Sequence, residues 1–296
     1  MKELGYFLNV DKSAGISSRK VVDLVSRAAK TKRVGHAGTL DPLATGVLIV
    51  AVERATRLVE FVQQQEKIYD AEFILGQSSD TDDIEGEITS HEVAHLPDRS
   101  AVEQALASFI GVIEQLPPQY SALKISGQPA YKLARKGLTV ELKPRPVTIH
   151  SIELESFEYP YVRLRIRCGS GTYIRSIARD LGQRLGTGGL MKTLRRVAIG
   201  AFHVDDAMKV DEISPEALLR YRLPLRHGVR ALPQITIDFE QSQRFFWGQA
   251  FHVNDGMAGE NIAVFDEDGN LLGMATSPDG QTMHPVKGGF RELNKS

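Results

Sequence analysis

The apolar segment Val47 to Val52 limits what this 296-residue chain can fold into more than any other feature. With Gly46 it forms the longest apolar run in the sequence, and its β-branched residues suit a strand buried on both faces. Such a strand needs a packed layer on each side. The run is also far too short to cross a bilayer. Helical and strand patterns alternate around it without the steady βαβ rhythm of a doubly wound fold. The expected fold is therefore α+β, with a mixed, largely antiparallel sheet and flanking helices.

Ser17-Ser18 ahead of Val21, Val22, Leu24, Val25, Ala28 and Ala29 predicts a capped amphipathic helix that ends near the basic stretch Lys30 to Arg33. Gly35 to Gly46, with three glycines and Pro42, has no clean period and is expected to be a structured loop. Helical spacing recurs over Ala55–Gln64, Ser100–Ile110, Thr172–Leu185 and Pro215–Arg222. Strands are expected at Ile68–Leu75, Val147–Leu154, Tyr161–Arg167 and Leu194–Phe202. The proline-rich, cationic stretch 117–146 is expected to be an insertion with a short helix near Tyr131–Lys136. Beyond Pro233 a short helix over Asp238–Gly248 precedes brief strands at Phe251–Val253, Asn261–Phe265 and Leu271–Ala275. Asn-Asp-Gly, Asp-Glu-Asp-Gly and Pro-Asp-Gly turns separate them, which suits a small β-barrel. The expected division is a domain over 1–230 and a second, small one over 231–296.

A chain that is 42% hydrophobic and 25% charged can bury a core, which excludes fibrous and disordered classes. Cys168 is the single cysteine, so no disulfide can form within the chain and no multi-cysteine zinc cluster can be built. Met1 to Lys12 lacks the apolar core of a signal peptide, and a cytoplasmic protein without membrane attachment is expected. A formal charge of −1 argues by itself against a nucleic-acid partner, but it hides a cancellation. Residues 163–196 hold nine cations and one acid, whereas 80–103 hold eight acids and one cation. The strand Tyr161–Arg167 has an entire face of arginine, Arg163, Arg165 and Arg167, for which an anionic partner is expected.

Asp41 directly precedes Pro42, which pushes it out of helical geometry, and sits among Gly35, Gly38 and Gly46. A rigid loop that presents one carboxylate is what a nucleophilic or general-base aspartate needs, although an Asp-Pro in a loop usually bonds only its own turn. The surrounding sequence, Gly-His-Ala-Gly-Thr-Leu-Asp-Pro-Leu-Ala-Thr-Gly-Val-Leu over Gly35–Leu48, resembles the catalytic loop of the TruB-type tRNA pseudouridine synthases. Lys67-Ile68-Tyr69 is similar to the family's Lys-x-Tyr element. Gly171-Thr172-Tyr173-Ile174-Arg175 with Asp180-Leu181-Gly182, and Leu194-Arg195-Arg196 with Gly200, resemble its later motifs. Asp11 to Ser18 matches its Lys-Pro-x-Gly-x-Ser-Ser entry except that Ser13 and Ala14 replace the proline pattern.

The resemblance implies an isomerase that converts the T-loop uridine at tRNA position 55 to pseudouridine after base flipping. It implies Asp41 as nucleophile, Arg175 as the partner that keeps it ionised, and Tyr69 as a residue that stacks on the base and helps in proton removal. His36 is implied to fill the space left by the flipped base, with Tyr69, Tyr173 and Leu194 lining the pocket. The insertion is implied to be a thumb that closes on the T-arm, with Lys124, Lys132, Arg135 and Lys136 as RNA contacts. The end of the chain resembles a PUA-like RNA-binding domain. No cofactor or metal is expected, no dinucleotide or Walker loop being present, and no obligate protein partner, so the expected form is a monomer. The acidic turn Ser79–Gly86 lacks calcium-loop spacing and resembles a family segment in which Asp83 supports the site. Two other readings are a guide-RNA-dependent ribosomal RNA relative, which usually carries a longer basic extension than one ending at Ser296, and a non-catalytic RNA-binding chaperone.

Overall fold

The computed structural model describes residues 4–120, 142–254 and 256–290, and the backbone of 124–125 and 128–129. In chain order the strands are β1 (Gly5–Lys12), β2 (Val34–His36), β3 (Thr45–Glu53), β4 (Lys67–Leu75), β5 (Gln77–Ser79), β6 (Ile88–Ser90), β7 (Gly111–Gln115), β8 (Lys124–Ile125), β9 (Gln128–Pro129), β10 (Arg145–Glu158), β11 (Tyr161–Cys168), β12 (Gly189–Ile199), β13 (Phe202–His203), β14 (Met208–Lys209), β15 (Gln234–Ile237), β16 (Phe251–His252), β17 (Gly259–Asp266), β18 (Leu271–Ser277) and β19 (Thr282–Lys287). The helices are α1 (Ser18–Ala28), α2 (Val59–Gln63), α3 (Arg99–Ala107), α4 (Ile174–Arg184), α5 (Pro215–Tyr221) and α6 (Phe239–Phe246).

The main sheet runs β14-β1-β3-β12-β4-β11-β10-β7, with β13 on β12 and β2 on β3. Only the β1–β14 and β3–β12 contacts are parallel, so the sheet is mixed and largely antiparallel, as expected. β3 is covered on both faces. Leu48, Val50 and Val52 pack with Val21 and Val25 of α1 and Leu218 of α5. Val47, Ile49 and Ala51 pack with Phe61 and Val62 of α2 on the opposite side. Each fully buried aliphatic side chain there contributes about 1.5–3 kcal/mol. A third cluster joins β4 and β11, through Phe73, Val162, Leu164 and Ile166, to α3 and α4.

Local signals set the helix ends. Ser17 caps α1 by accepting from the Lys20 amide, and Asp98, close to the expected Ser100 start, caps α3 through Ala101. The expected helix Ala55–Gln64 is a 3₁₀ turn, Arg54–Leu58, followed by the short α2. Gly35 and His36, expected in a loop, pair with β3. The expected insertion helix near Tyr131–Lys136 lies outside the described residues.

The arginine face of β11 does not await an external anion. Antiparallel register sets Arg163 opposite Glu72 and Arg165 opposite Asp70 of β4. The Nε atoms of Arg163, Arg165 and Arg167 lie 2.6, 2.8 and 2.7 Å from Glu72, Asp70 and Glu66. Cross-strand partners this close satisfy one another, so the acids that balance the stripe come from the neighbouring strand and its approach.

The C-terminal sheet has the open order β15-β17-β18-β19-β16, a curled half-barrel of the PUA-like kind. The β15 and β19 strands fall outside the expected set: β15 alternates Ile235 and Ile237 with Gln234 and Thr236 over only four residues, and β19 is interrupted by Pro285. Phe245 of α6 closes its own core, while Phe265, Leu271, Met274 and Phe290 pack into the cluster under β3. Among the described residues no helix is long and apolar enough to cross a membrane.

Candidate active site

The loop between β2 and β3 has little regular structure, yet it is fastened from several directions. Ser18 Oγ accepts from the Leu40 amide at 2.9 Å and donates to the Leu40 carbonyl at 3.0 Å. Buried Lys12 Nζ donates to the carbonyls of Ser13, Ile16 and Pro42 at 2.9, 2.8 and 3.1 Å. Arg196, also buried, donates from Nε to Val47 O at 2.7 Å and from Nη2 to Gly38 O at 3.0 Å. Buried cations thus occupy carbonyls that a loop would otherwise leave to water. Burial lowers the Lys12 pKa to about 8, opposed mainly by the nearby Asp41 carboxylate.

This scaffold presents Asp41 with its side chain one third exposed (33%). Its Oδ2 lies 3.0 Å from Arg175 Nε, and its Oδ1 accepts from Nη2 at 3.2 Å. The Arg175 side chain is only 6% exposed. Its Nη1 lies 3.3 Å from Asp83 Oδ2 and donates to Thr81 O at 2.9 Å, and its Nη2 also donates to Tyr120 O at 2.9 Å. One guanidinium therefore joins two carboxylates, the acidic turn and the chain entering the insertion. Arg179, one turn further along α4, holds Asp82 at 2.9 Å.

Desolvation raises the Asp41 pKa; Arg175 opposes it, and Asp83 adds a further push upward. The reactive form of a carboxylate nucleophile is the anion. A raised pKa therefore removes activity on the acid side, beginning at a higher pH than for an ordinary aspartate. Single-turnover rates measured against pH are expected to fall on the acid side with an apparent pKa above the unperturbed 3.8. An acid limb at or below that value would contradict the assignment.

Asp41 and Arg175 line a cleft of about 330 Å³ together with Tyr69, Tyr173 and Leu194, a volume in the range of small-ligand sites. Tyr69 comes from β4 and Leu194 from β12, each 7% exposed. Burial pushes the Tyr69 pKa upward, so its phenol keeps its proton at neutral pH. Tyr173 precedes α4 and is held on both backbone groups by buried Gln115, which accepts from its amide at 2.8 Å and donates to its carbonyl at 3.1 Å. The structure thus unites five of the expected site residues from loop, sheet and helix. His36 stands apart: at the end of β2 it pairs with Val50 of β3, its Nδ1 is buried without a partner, and it is not among the residues lining the cleft. Lys132, Arg135 and Lys136 lie outside the described residues, and only the backbone of Lys124 is described.

Sequence patterns assigned no role to Lys12, Gln115 or Arg196, and read Ser18 with Ser17 only as a helix cap, whereas its hydroxyl brackets Leu40. Lys12 and Arg196 fall within matched motifs, but their task of holding backbone carbonyls emerges only once the chain is folded. Gln115 carries no local signal at all.

Comparison with known proteins adds two matching family models: "TruB family pseudouridylate synthase (N terminal domain)" over residues 26–174 and "tRNA pseudouridylate synthase B C-terminal domain" over 175–224. A relative named tRNA pseudouridine synthase B from Thermobifida fusca is 43% identical over 286 residues, covering 94% of this chain and 96% of its own. A protein of the same name from Syntrophus aciditrophicus is 40% identical, covering 90% of this chain and 89% of its own. Among solved structures, a chain of an H/ACA RNP bound to a substrate RNA superposes with a TM-score of 0.74 at 22% identity, over 98% of this chain and 86% of that one. A chain of the archaeal Nop10-Cbf5 complex gives 0.73 at 23% identity over the same shares, and at such identities the likeness is one of fold.

Proposed function

The chain belongs to the TruB family of pseudouridylate synthases and isomerises uridine in tRNA to pseudouridine, and we propose that its target is the T-loop uridine at position 55, with Asp41 as the nucleophile. The observation that carries the assignment of roles is the Asp41–Arg175 pair at the wall of a cleft shared with Tyr69. The reaction breaks the N1–C1′ bond, turns the base and forms a C5–C1′ bond. The C5 proton leaves and N1 gains one, so atoms and electrons balance without an external oxidant or reductant. An ionised Asp41 attacks an electron-poor carbon, and Arg175 favours that ionised form through a charge-assisted contact.

A uridine in a folded loop reaches Asp41 only after leaving its stack, which costs a few kcal/mol. Stacking on Tyr69, at about 1–3 kcal/mol, offsets part of that cost, and Tyr173 and Leu194 complete the apolar walls. His36 occupies the gap left in the RNA, which agrees with its place outside the cleft lining. The phenol of Tyr69, neutral in the free protein, acts as a proton relay late in the reaction rather than as a standing base. Residues 1–230 form the catalytic domain with the insertion at 117–146, and 231–296 form the second domain. The enzyme acts as a monomer in the cytoplasm without a protein partner.

The insertion grips RNA phosphates. Neutralising Lys132, Arg135 and Lys136 is expected to make the salt dependence of tRNA binding shallower by roughly one unit per lost contact. An unchanged slope would remove the insertion from the phosphate-binding surface. The substrate assignment is tested by mapping pseudouridine in an unmodified tRNA transcript after incubation with the protein. Product at position 55 alone is expected. Product at another uridine, or in ribosomal RNA only when a guide RNA is added, would overturn it.

A further inference from the structure

We propose that the exposed cations from Arg19 to Arg33 form a second RNA phosphate-binding ridge, separate from the insertion and leading away from the lip of the cleft. The proposal rests on the tRNA reading above. It starts from a contrast among the basic residues. Arg163, Arg165, Arg167, Arg179, Lys192 and Arg195 each lie within ion-pair distance of a carboxylate. A cation already paired has less to offer a phosphate. Residues 18–34 hold Arg19, Lys20, Arg27, Lys30, Lys32 and Arg33 against the single acid Asp23. All six cations are exposed. Among the described residues of this segment only Arg19 makes an ion pair, with Asp23 at 2.9 Å. The Glu53 carboxylate nearby is engaged by the Thr31 hydroxyl.

Their placement ties the ridge to the site. The first residue of α1, Ser18, brackets both backbone groups of Leu40, the residue before Asp41, so Arg19 and Lys20 sit beside the cleft. The 11 residues of α1 carry the chain about 16 Å from there at ~1.5 Å per residue. At the far end the turn is fixed: Lys30 adopts φ 52°, and the Thr31 amide donates to Ser26 O at 3.2 Å. Lys32 and Arg33 then lead straight into β2 and back toward the catalytic loop. A base that enters the cleft brings its own backbone past α1, and the arm behind it reaches the far cations. No large apolar side chain is exposed between residues 17 and 36, so the surface suits a phosphate backbone rather than insertion into a lipid layer.

The test measures tRNA affinity against salt for wild type, for Lys30→Gln/Lys32→Gln/Arg33→Gln, and for Arg163→Gln/Arg165→Gln as the paired-cation control. All of these side chains are exposed, so circular dichroism suffices as the check on folding. The ridge variant is expected to bind at least tenfold more weakly at low salt, with a log–log slope shallower by about 2 to 3. Its single-turnover rate at saturating tRNA is expected to match wild type, and the control slope to stay unchanged. An unaltered ridge slope, or a control slope that falls as far, would overturn the proposal. So would a ridge variant that loses binding to phosphatidylserine vesicles while keeping its tRNA slope. If wild type binds tRNA through the ridge but makes no pseudouridine, the ridge stands and the isomerase reading falls.

Discussion

Replacing Asp41 by Asn is expected to abolish pseudouridine formation, lowering the single-turnover rate by at least about 10⁴-fold, while leaving tRNA affinity within a few-fold. The amide keeps the size and shape of the carboxyl but cannot act as an anionic nucleophile, so the loss falls on the chemical step. Mapping of the modified base with wild type and variant side by side is the measurement, and appreciable product from the variant would remove Asp41 from the role. The same substitution has a second expected consequence, in stability. Asp41 has its pKa raised by burial in the folded protein. The unfolded chain therefore loses this proton first as pH rises, so stability declines between the ordinary carboxylate value and the raised one, and ionised Asp41 is a net burden at neutral pH. The neutral amide lifts that burden, and Arg175 keeps Asp83 at 3.3 Å as its partner. Thermal unfolding at neutral pH is expected to show the variant at least as stable as wild type. A clear loss of stability would mean that the Arg175 pair outweighs the desolvation.

Gly46→Ala is expected to be the most damaging single-methyl change in the catalytic loop. A Cβ at Gly46 would lie 2.2 Å from the Arg196 carbonyl oxygen and 2.8 Å from its amide nitrogen, where β3 and β12 meet in parallel. The backbone there has φ +98°, a region that side chains rarely occupy. Both contacts are with backbone, so relief requires the strands to separate. Strain and overpacking together cost about 2–5 kcal/mol, which lowers the midpoint of thermal unfolding by on the order of 10 °C. Gly15→Ala is the informative comparison, because Gly15 also has positive φ, +81°, but nothing lies within 4 Å of the place its new methyl would take. Its cost is confined to the dihedral term, about 1–3 kcal/mol. Equal losses for the two variants would show that the contact with Arg196 is unimportant. Activity in Gly46→Ala is expected to fall more than stability alone explains, since Arg196 also holds Val47 and Gly38 on either side of Asp41.

Much of the fold was legible locally. The run at Val47–Val52 announced a strand with two buried faces, and α1 on one side with α2 on the other supply those layers. Ser17 and the apolar spacing after it defined α1 to within a residue at its start. The expectation of an external anion for Arg163, Arg165 and Arg167 failed because their balancing acids lie about 95 positions away in sequence and become neighbours only through the register of β4 with β11. The alternation of Val162, Leu164 and Ile166 with those arginines fixes which face of β11 is buried, but not which strand lies beside it or which acids that strand brings opposite.

The candidate site divides in the same way. The glycine-punctuated loop that presents Asp41 before a proline could be read from the residues alone, and the order of residues around it carried the family resemblance, because those constraints act between near neighbours. The resemblance already pointed to Arg175, 134 positions away, as the partner of Asp41 and to Asp83 as a supporting residue; that one guanidinium contacts both carboxylates, and that Lys12 and Arg196 hold the loop by its carbonyls, follows from the folded arrangement alone. Near-neutral net charge, similarly, said little until pairing could be seen: the cations of β11 are neutralised across the sheet, whereas those from Lys20 to Arg33 face solvent. Backbone dihedrals and turns are short-range and are written residue by residue, but electrostatic and packing partners are set by which distant segments the burial of apolar faces brings together.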